Sequence, residues 1–154
     1  MKLRIVILMI STVLMSCGAE KQGAKLNSRQ LTGTWKLLTA TLIEKGDTTI
    51  TDYTQKNLSF IKIINATHFA FLQHDLNKGK DSAAVFVSGG GKYSLKNNSY
   101  TEHLEYCSAR NWEGNDFAFT ITLKNDTLVQ SGIEKVEEAG VNRVNIEKYV
   151  RFNE

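Results

Sequence analysis

Gly89-Gly90-Gly91-Lys92-Tyr93-Ser94-Leu95, a turn at Asn97-Asn98, and Tyr100-Thr101-Glu102-His103-Leu104-Glu105-Tyr106 form the stretch that decides the fold. Two runs rich in aromatic and β-branched residues flank an Asn-Asn pair that tolerates positive φ, the local signature of a β-hairpin. The turn sets the register, with Leu95 opposite Tyr100, Tyr93 opposite Glu102 and Gly91 opposite Leu104. One face then collects Tyr93, Leu95, Tyr100, Glu102, Leu104 and Tyr106. The other collects Lys92, Ser94, Lys96, Ser99, Thr101, His103 and Glu105. The first face is what a core would take, except that it carries a carboxylate among three tyrosines.

Outward from this hairpin the same strand-and-turn grammar repeats. Leu31 to Leu38 reads as a first strand continuing to Ile43, and Lys45-Gly46-Asp47 is turn chemistry. Thr48 to Thr51 is a short β-branched run, Leu58 to Ile64 an apolar strand, and Asn65-Ala66-Thr67 turns the chain into His68 to Leu72. Asp75 to Asp81 is a polar loop, and Ala83 to Leu95 a strand interrupted by the glycine run, where a bulge or bend fits. Past the hairpin, Ser108 to Asp116 connects to Phe117, Phe119, Ile121 and Leu123, which alternate with polar or small residues at a period of two. Asn125-Asp126 turns the chain back, placing Leu128 and Gln130 on the face of Leu123 and Ile121. At the end, Val144, Ile146, Lys148, Val150 and Phe152 alternate with more polar partners.

No long stretch shows a helical period, although Gly132 to Gly140 has room for one turn. The chain contains no proline, as suits strands that donate hydrogen bonds on both sides. These elements predict an all-β fold, an antiparallel up-and-down barrel of about eight to nine strands whose closure removes the sheet edges. A barrel of this size has room for one small ligand.

The amino-terminal segment reads as an address. Lys2 and Arg4 precede an apolar run, Ile5 to Leu14, too short to span a bilayer comfortably. Leu14-Met15-Ser16-Cys17 resembles the lipobox of bacterial lipoproteins, which implies removal of residues 1–16 and lipidation of Cys17. Acyl chains on that residue would hold the protein to a membrane. Residues 17–28 read as a flexible tether and residues 29–154 as the barrel domain. Gly18, where such lipoproteins carry Asp to remain at the inner membrane, implies the outer membrane of the cell envelope.

Charge and cysteine content narrow the functional classes. The chain carries 19 Lys and Arg against 16 Asp and Glu, and loss of Lys2 and Arg4 with the signal segment leaves the two nearly balanced. Without a basic cluster or a base-stacking motif, nucleic acid is not an expected partner. Cys107 is left without a disulfide partner once Cys17 is lipidated.

Gly33-x-Trp35 on the first strand, a β-meander, and a last strand carrying Lys148 and Arg151 resemble the lipocalin pattern. That resemblance implies a Trp35 plug at one barrel end with Arg151 stacked on it. The Gly89 to Tyr93 segment and the Tyr100 to Tyr106 strand are similar to those of small lipocalin-like bacterial lipoproteins. Binding of a small, partly apolar ligand is the corresponding functional expectation.

Among individual residues, Glu102 has the sharpest chemistry. Facing inward beside tyrosines it would be desolvated, and it would then fix the hairpin, read a polar group of a ligand, or exchange protons. Tyr93, Tyr100, Glu102, Tyr106 and Gln130 are the candidate ligand contacts. No cofactor is expected, and His68, His74, Asp75, His103 and Glu105 lack the spacing of a metal site. No serine elbow or phosphate loop marks an enzyme. The alternative to a binding module is a filled barrel that presents loops to another envelope protein.

Overall fold

A computed structural model describes residues 26–152. The residues read as a signal segment, Cys17 and most of the stretch read as a tether lie outside the described residues. The strands are β1 (Gly33–Glu44), β2 (Asp47–Asp52), β3 (Leu58–Ile64), β4 (His68–Asp75), β5 (Phe86–Lys96), β6 (Ser99–Cys107), β7 (Asp116–Lys124), β8 (Thr127–Val136) and β9 (Val141–Arg151). They form one antiparallel sheet in the order β2-β1-β3-β4-β5-β6-β7-β8-β9, and β1 also pairs with β9. Eight strands therefore close an up-and-down barrel, with β2 as an extra strand. Asn97 and Asn125 sit at the tips of two of the tight hairpins with φ of 58° and 53°, a conformation asparagine enters at lower cost than most residues.

The β1 strand divides its partners along its length. Gly33 to Lys36 pair with β3, whereas Thr39 to Glu44 pair with β2, so the first half of β3 leaves the ladder. Tyr53 and Phe60 stand at the gap in edge-to-face contact, ring centroids 6.0 Å apart. A bulge at Leu38 changes the phase of β1, and its inward residues pass from Trp35 and Leu37 to Ala40 and Leu42.

One end of the barrel is closed by apolar packing. A short helix, α1 (Ser28–Leu31), is fixed by a capping box in which the Asn27 side chain accepts from the Gln30 backbone and the Gln30 side chain accepts in return. The helix lays Leu31 over Trp35, and the indole Nε1 donates to the Leu31 carbonyl at 2.8 Å. Trp35 is fully buried with Leu37, Ile64, Phe69, Tyr100, Ile121, Leu128 and Tyr149 around it. Arg151 lies across the indole, its Cζ 4.2 Å from the ring centroid, and its guanidinium donates to the Thr32 and Gln30 carbonyls at 3.0 and 2.9 Å. Gly33 makes this approach possible, since a Cβ there would stand 2.7 Å from Arg151 Nη1.

Four local expectations need correction. Leu31 and Thr32 end the capped helix and do not begin a strand. The folded part also starts before residue 29, since Leu26 packs against the core and Asn27 caps the helix. In β6, a bulge opposite Gly90 and Gly91 gives the strand an extra residue, Glu105, so Tyr106 swings outward and Cys107 takes the inward place. The polarity of β3 and β9 is the reverse of a core strand: Lys62 faces inward with Phe60, and Arg143, Asn145, Glu147 and Tyr149 face inward from β9. Ile61, Ile63, Val144, Ile146 and Val150 occupy the alternate, outward positions.

Candidate functional site

Above the apolar plug the barrel is hollow. A cavity of about 350 Å³ runs from the middle of the lumen toward the end formed by the 53–57, 76–85, 108–115 and 137–140 connections. Its walls are largely aromatic: Tyr53, Phe60, Phe71, Trp112, Phe117, Phe119 and Tyr149. Gly89 gives Phe71 its place, for a Cβ there would lie 2.5 Å from the phenyl ring. The volume falls within the range of small-molecule sites.

The floor carries a network of buried charge. Lys62, only 2 % exposed, donates from Nζ to Glu102 Oε1 at 2.7 Å and to Gln130 Oε1 at 2.9 Å. The Gln130 amide donates onward to Glu147 Oε2 at 2.7 Å, and the Tyr149 hydroxyl donates to the same oxygen at 2.7 Å. Lys62 Nζ also stands 3.9 Å from Glu147 and 5.3 Å from the Tyr149 ring centroid. These side chains come from β3, β6, β8 and β9, so the network spans the lumen and exists only when the barrel is closed. Burial pushes the Glu102 carboxyl up, against the opposing pull of the Lys62 ammonium. The Tyr149 phenol is raised by burial and then by the Glu147 charge, and the Tyr100 phenol by burial and then by Glu102.

A second polar group stands higher in the lumen. Arg143 donates from Nε to Glu134 Oε2 at 2.7 Å, and Asn145 donates from Nδ2 to Glu134 Oε1 at 2.7 Å. The Arg143 guanidinium lies 5.4 Å from the centre of the Trp112 ring. Asn145 Oδ1 is buried with no hydrogen-bond partner among the described residues. A buried amide acceptor left unpaired is unusual and marks a place where a donor from elsewhere fits.

The candidate residues therefore separate. Glu102 and Gln130 line the cavity. Tyr100 is buried among the plug residues, its ring tilted against that of Tyr93 with centroids 5.1 Å apart, and the Tyr93 hydroxyl donates to the Asn65 carbonyl at 2.9 Å. Tyr93 and Tyr100 thus support the floor from below and do not line the cavity. Tyr106 is 69 % exposed on the outer surface and cannot touch anything held in the lumen. His103 pairs with Asp116 at 2.8 Å on the outside, and His68 meets the Thr67 hydroxyl.

Lys62, Glu134, Asn145 and Glu147 were not singled out from sequence. A signal existed in the Asn65-Ala66-Thr67 turn: Ile64 opposite Phe69 puts Lys62 opposite Phe71, on the inward face. Similarly, Gln130 opposite Glu147 follows from an inward Tyr149 opposite Leu128. No protein-family model matches this chain, and no curated protein matches its sequence.

Proposed function

We propose that this protein is a lipocalin-like lipoprotein that holds a small, partly apolar ligand in its barrel and is tethered by lipid on Cys17 to the outer membrane of a bacterial envelope. The observation that carries the ligand reading is the cavity of about 350 Å³, which combines aromatic walls with a fixed polar floor. A barrel serving only as a structural body would fill that space with side chains, as the Trp35 end does. Glu102 and Gln130 are polar anchors in this reading, together with Lys62 and Glu147. Glu102 acts through its hydrogen bond to Lys62, and no part of the reading requires catalysis.

The lumen is tested by Ala40→Trp. Ala40 lines the cavity opposite Glu147, so an indole there fills it from the wall. The full chain and the variant are compared by native mass spectrometry for co-purified small molecules and by thermal shift against short amphipathic compounds. Ligand or stabilisation in the wild type and its loss in a folded Ala40→Trp variant are expected. Equal behaviour of the two would remove the lumen as the site. The tether is tested by intact mass and membrane fractionation, with Cys17→Ser expected in the soluble fraction; an unlipidated, soluble wild type would end that part of the proposal.

A further inference from the structure

The charged side chains of the lumen are committed to one another. Lys62 is engaged by Glu102 and Gln130, the Gln130 amide and Tyr149 hydroxyl by Glu147, and Arg143 and the Asn145 amide by Glu134. Two cations thus face three carboxylates along one cavity. Even when Glu102 holds a proton, Glu134 and Glu147 match Lys62 and Arg143 one for one. Two buried side-chain atoms lack a partner among the described residues, the Tyr100 hydroxyl below the floor and Asn145 Oδ1, and of these only Asn145, 5 % exposed, lines the cavity. Its orientation is fixed, because the amide nitrogen must face Glu134; the flipped amide would set oxygen against carboxylate.

Asn145 and Glu147 are successive inward positions on β9, and Glu134 lies on the paired strand β8, opposite Arg143. From these positions we infer that the lumen selects a small amphipathic amine, its ammonium seated among Asn145 Oδ1, Glu147 and Glu134 and its short apolar body against the aromatic walls. The inference rests on the reading of the lumen as a binding site. An ammonium brings up to three donors and a positive charge to a site that offers the unpaired Asn145 Oδ1 and the remaining lone pairs of two carboxylates. The Phe60 ring, which lines the cavity, also favours a cation. A carboxylate of the same size would meet the like charge of Glu134 and Glu147 and leave Asn145 Oδ1 unpaired. The cavity equals the share of about a dozen waters in liquid volume, which limits the body to a short chain or a single ring.

The test uses three probes of equal length, octylamine, octan-1-ol and octanoate, titrated calorimetrically into the full chain near neutral pH. Octylamine should bind about tenfold or more tightly than octanoate, with octanol between them. Asn145→Leu should weaken octylamine by about tenfold while leaving octanol almost unchanged. If that variant does not fold, Glu147→Gln supplies the same comparison through loss of charge. Octanoate binding as tightly as octylamine, and lost in Ala40→Trp, would overturn the amine assignment while leaving the lumen a binding site. Binding of octylamine that persists in Ala40→Trp, or no binding by any probe, would overturn both.

Discussion

Replacing Lys62 with Met removes the one cation at the floor of the lumen while keeping an unbranched side chain of similar length. Glu102 then remains buried without its 2.7 Å partner, and Gln130 Oε1 loses its donor. Breaking a buried ion pair from one side costs about 3 to 5 kcal/mol, most of it the expense of leaving the other charge uncompensated. The loss must depend on pH, and its sign follows from Glu102. Without Lys62 the main opposition to the burial that raises its pKa is gone, so the folded variant prefers the protonated acid. That preference is fully satisfied below the unfolded value near 4.5 and costs stability as pH rises through the folded value. Lys62→Met should therefore be closer to wild type at about pH 5 than at about pH 8. Lys62→Met with Glu102→Leu should recover about 2 kcal/mol or more at the higher pH, because the uncompensated charge is gone. Urea unfolding followed by far-ultraviolet circular dichroism measures all three proteins. A single variant within about 0.5 kcal/mol of wild type at both pH values, or a double variant no more stable than the single, would refute the reasoning.

Trp35→Ala should cost about 3 to 5 kcal/mol in the same assay, since the indole is fully buried and its cavity cannot collapse against a closed barrel end. Arg151→Met, which keeps the packing and loses the charge above the indole, should cost about 0.5 to 2 kcal/mol, with an unchanged midpoint arguing against the stacked contact. Gly33→Ala should lower the midpoint by about 1 to 3 kcal/mol equivalent, because φ of +141° is unfavourable for alanine and its methyl would crowd Arg151; a neutral result would mean that the backbone relaxes there. Above about pH 10 the unfolded chain releases phenolic protons that folded Tyr100 and Tyr149 retain, so stability should fall by up to about 1.4 kcal/mol per pH unit for each, and Tyr149→Phe should remove one such increment from the alkaline unfolding curve.

The hairpin register was legible because an Asn-Asn turn and a period of two fix it together: Leu95 meets Tyr100, Tyr93 meets Glu102 and Gly91 meets Leu104. Tyr106 escaped that count because a bulge is a backbone event with no side-chain signature of its own. The cue was indirect, a run of glycines on the facing strand with no side chains to hold register. Closure was legible from strand number and the absence of proline, but the contents of the lumen were not. Hydrophobic alternation identifies a face without saying which side it is on, and Ile61 and Ile63 of β3 and Val144, Ile146 and Val150 of β9 go outward while Lys62, Asn145 and Glu147 go in. Only pairing with a neighbour already oriented, Phe69 for β3 or Leu128 for β9, resolves that ambiguity.

The meeting of β1 with β9 sets the order in which the chain can become a barrel. Arg151 reaches back 121 positions to the Gln30 carbonyl and Lys62 reaches forward 68 to Gln130, so the decisive contacts are among the most distant in sequence. Hairpins such as β5–β6 and β7–β8 can form locally, but the loop-closure entropy of bringing the ends together is repaid only when both ends have been made. A chain lacking residues 141–151 would leave β1 and β8 as open edges and the lumen as a wet trough without Glu147, Tyr149 or Arg143. Such a fragment is a template for pairing with other chains. In the whole protein the last strand supplies both the final ladder and the Arg151 lid over Trp35, so folding and sealing are one event.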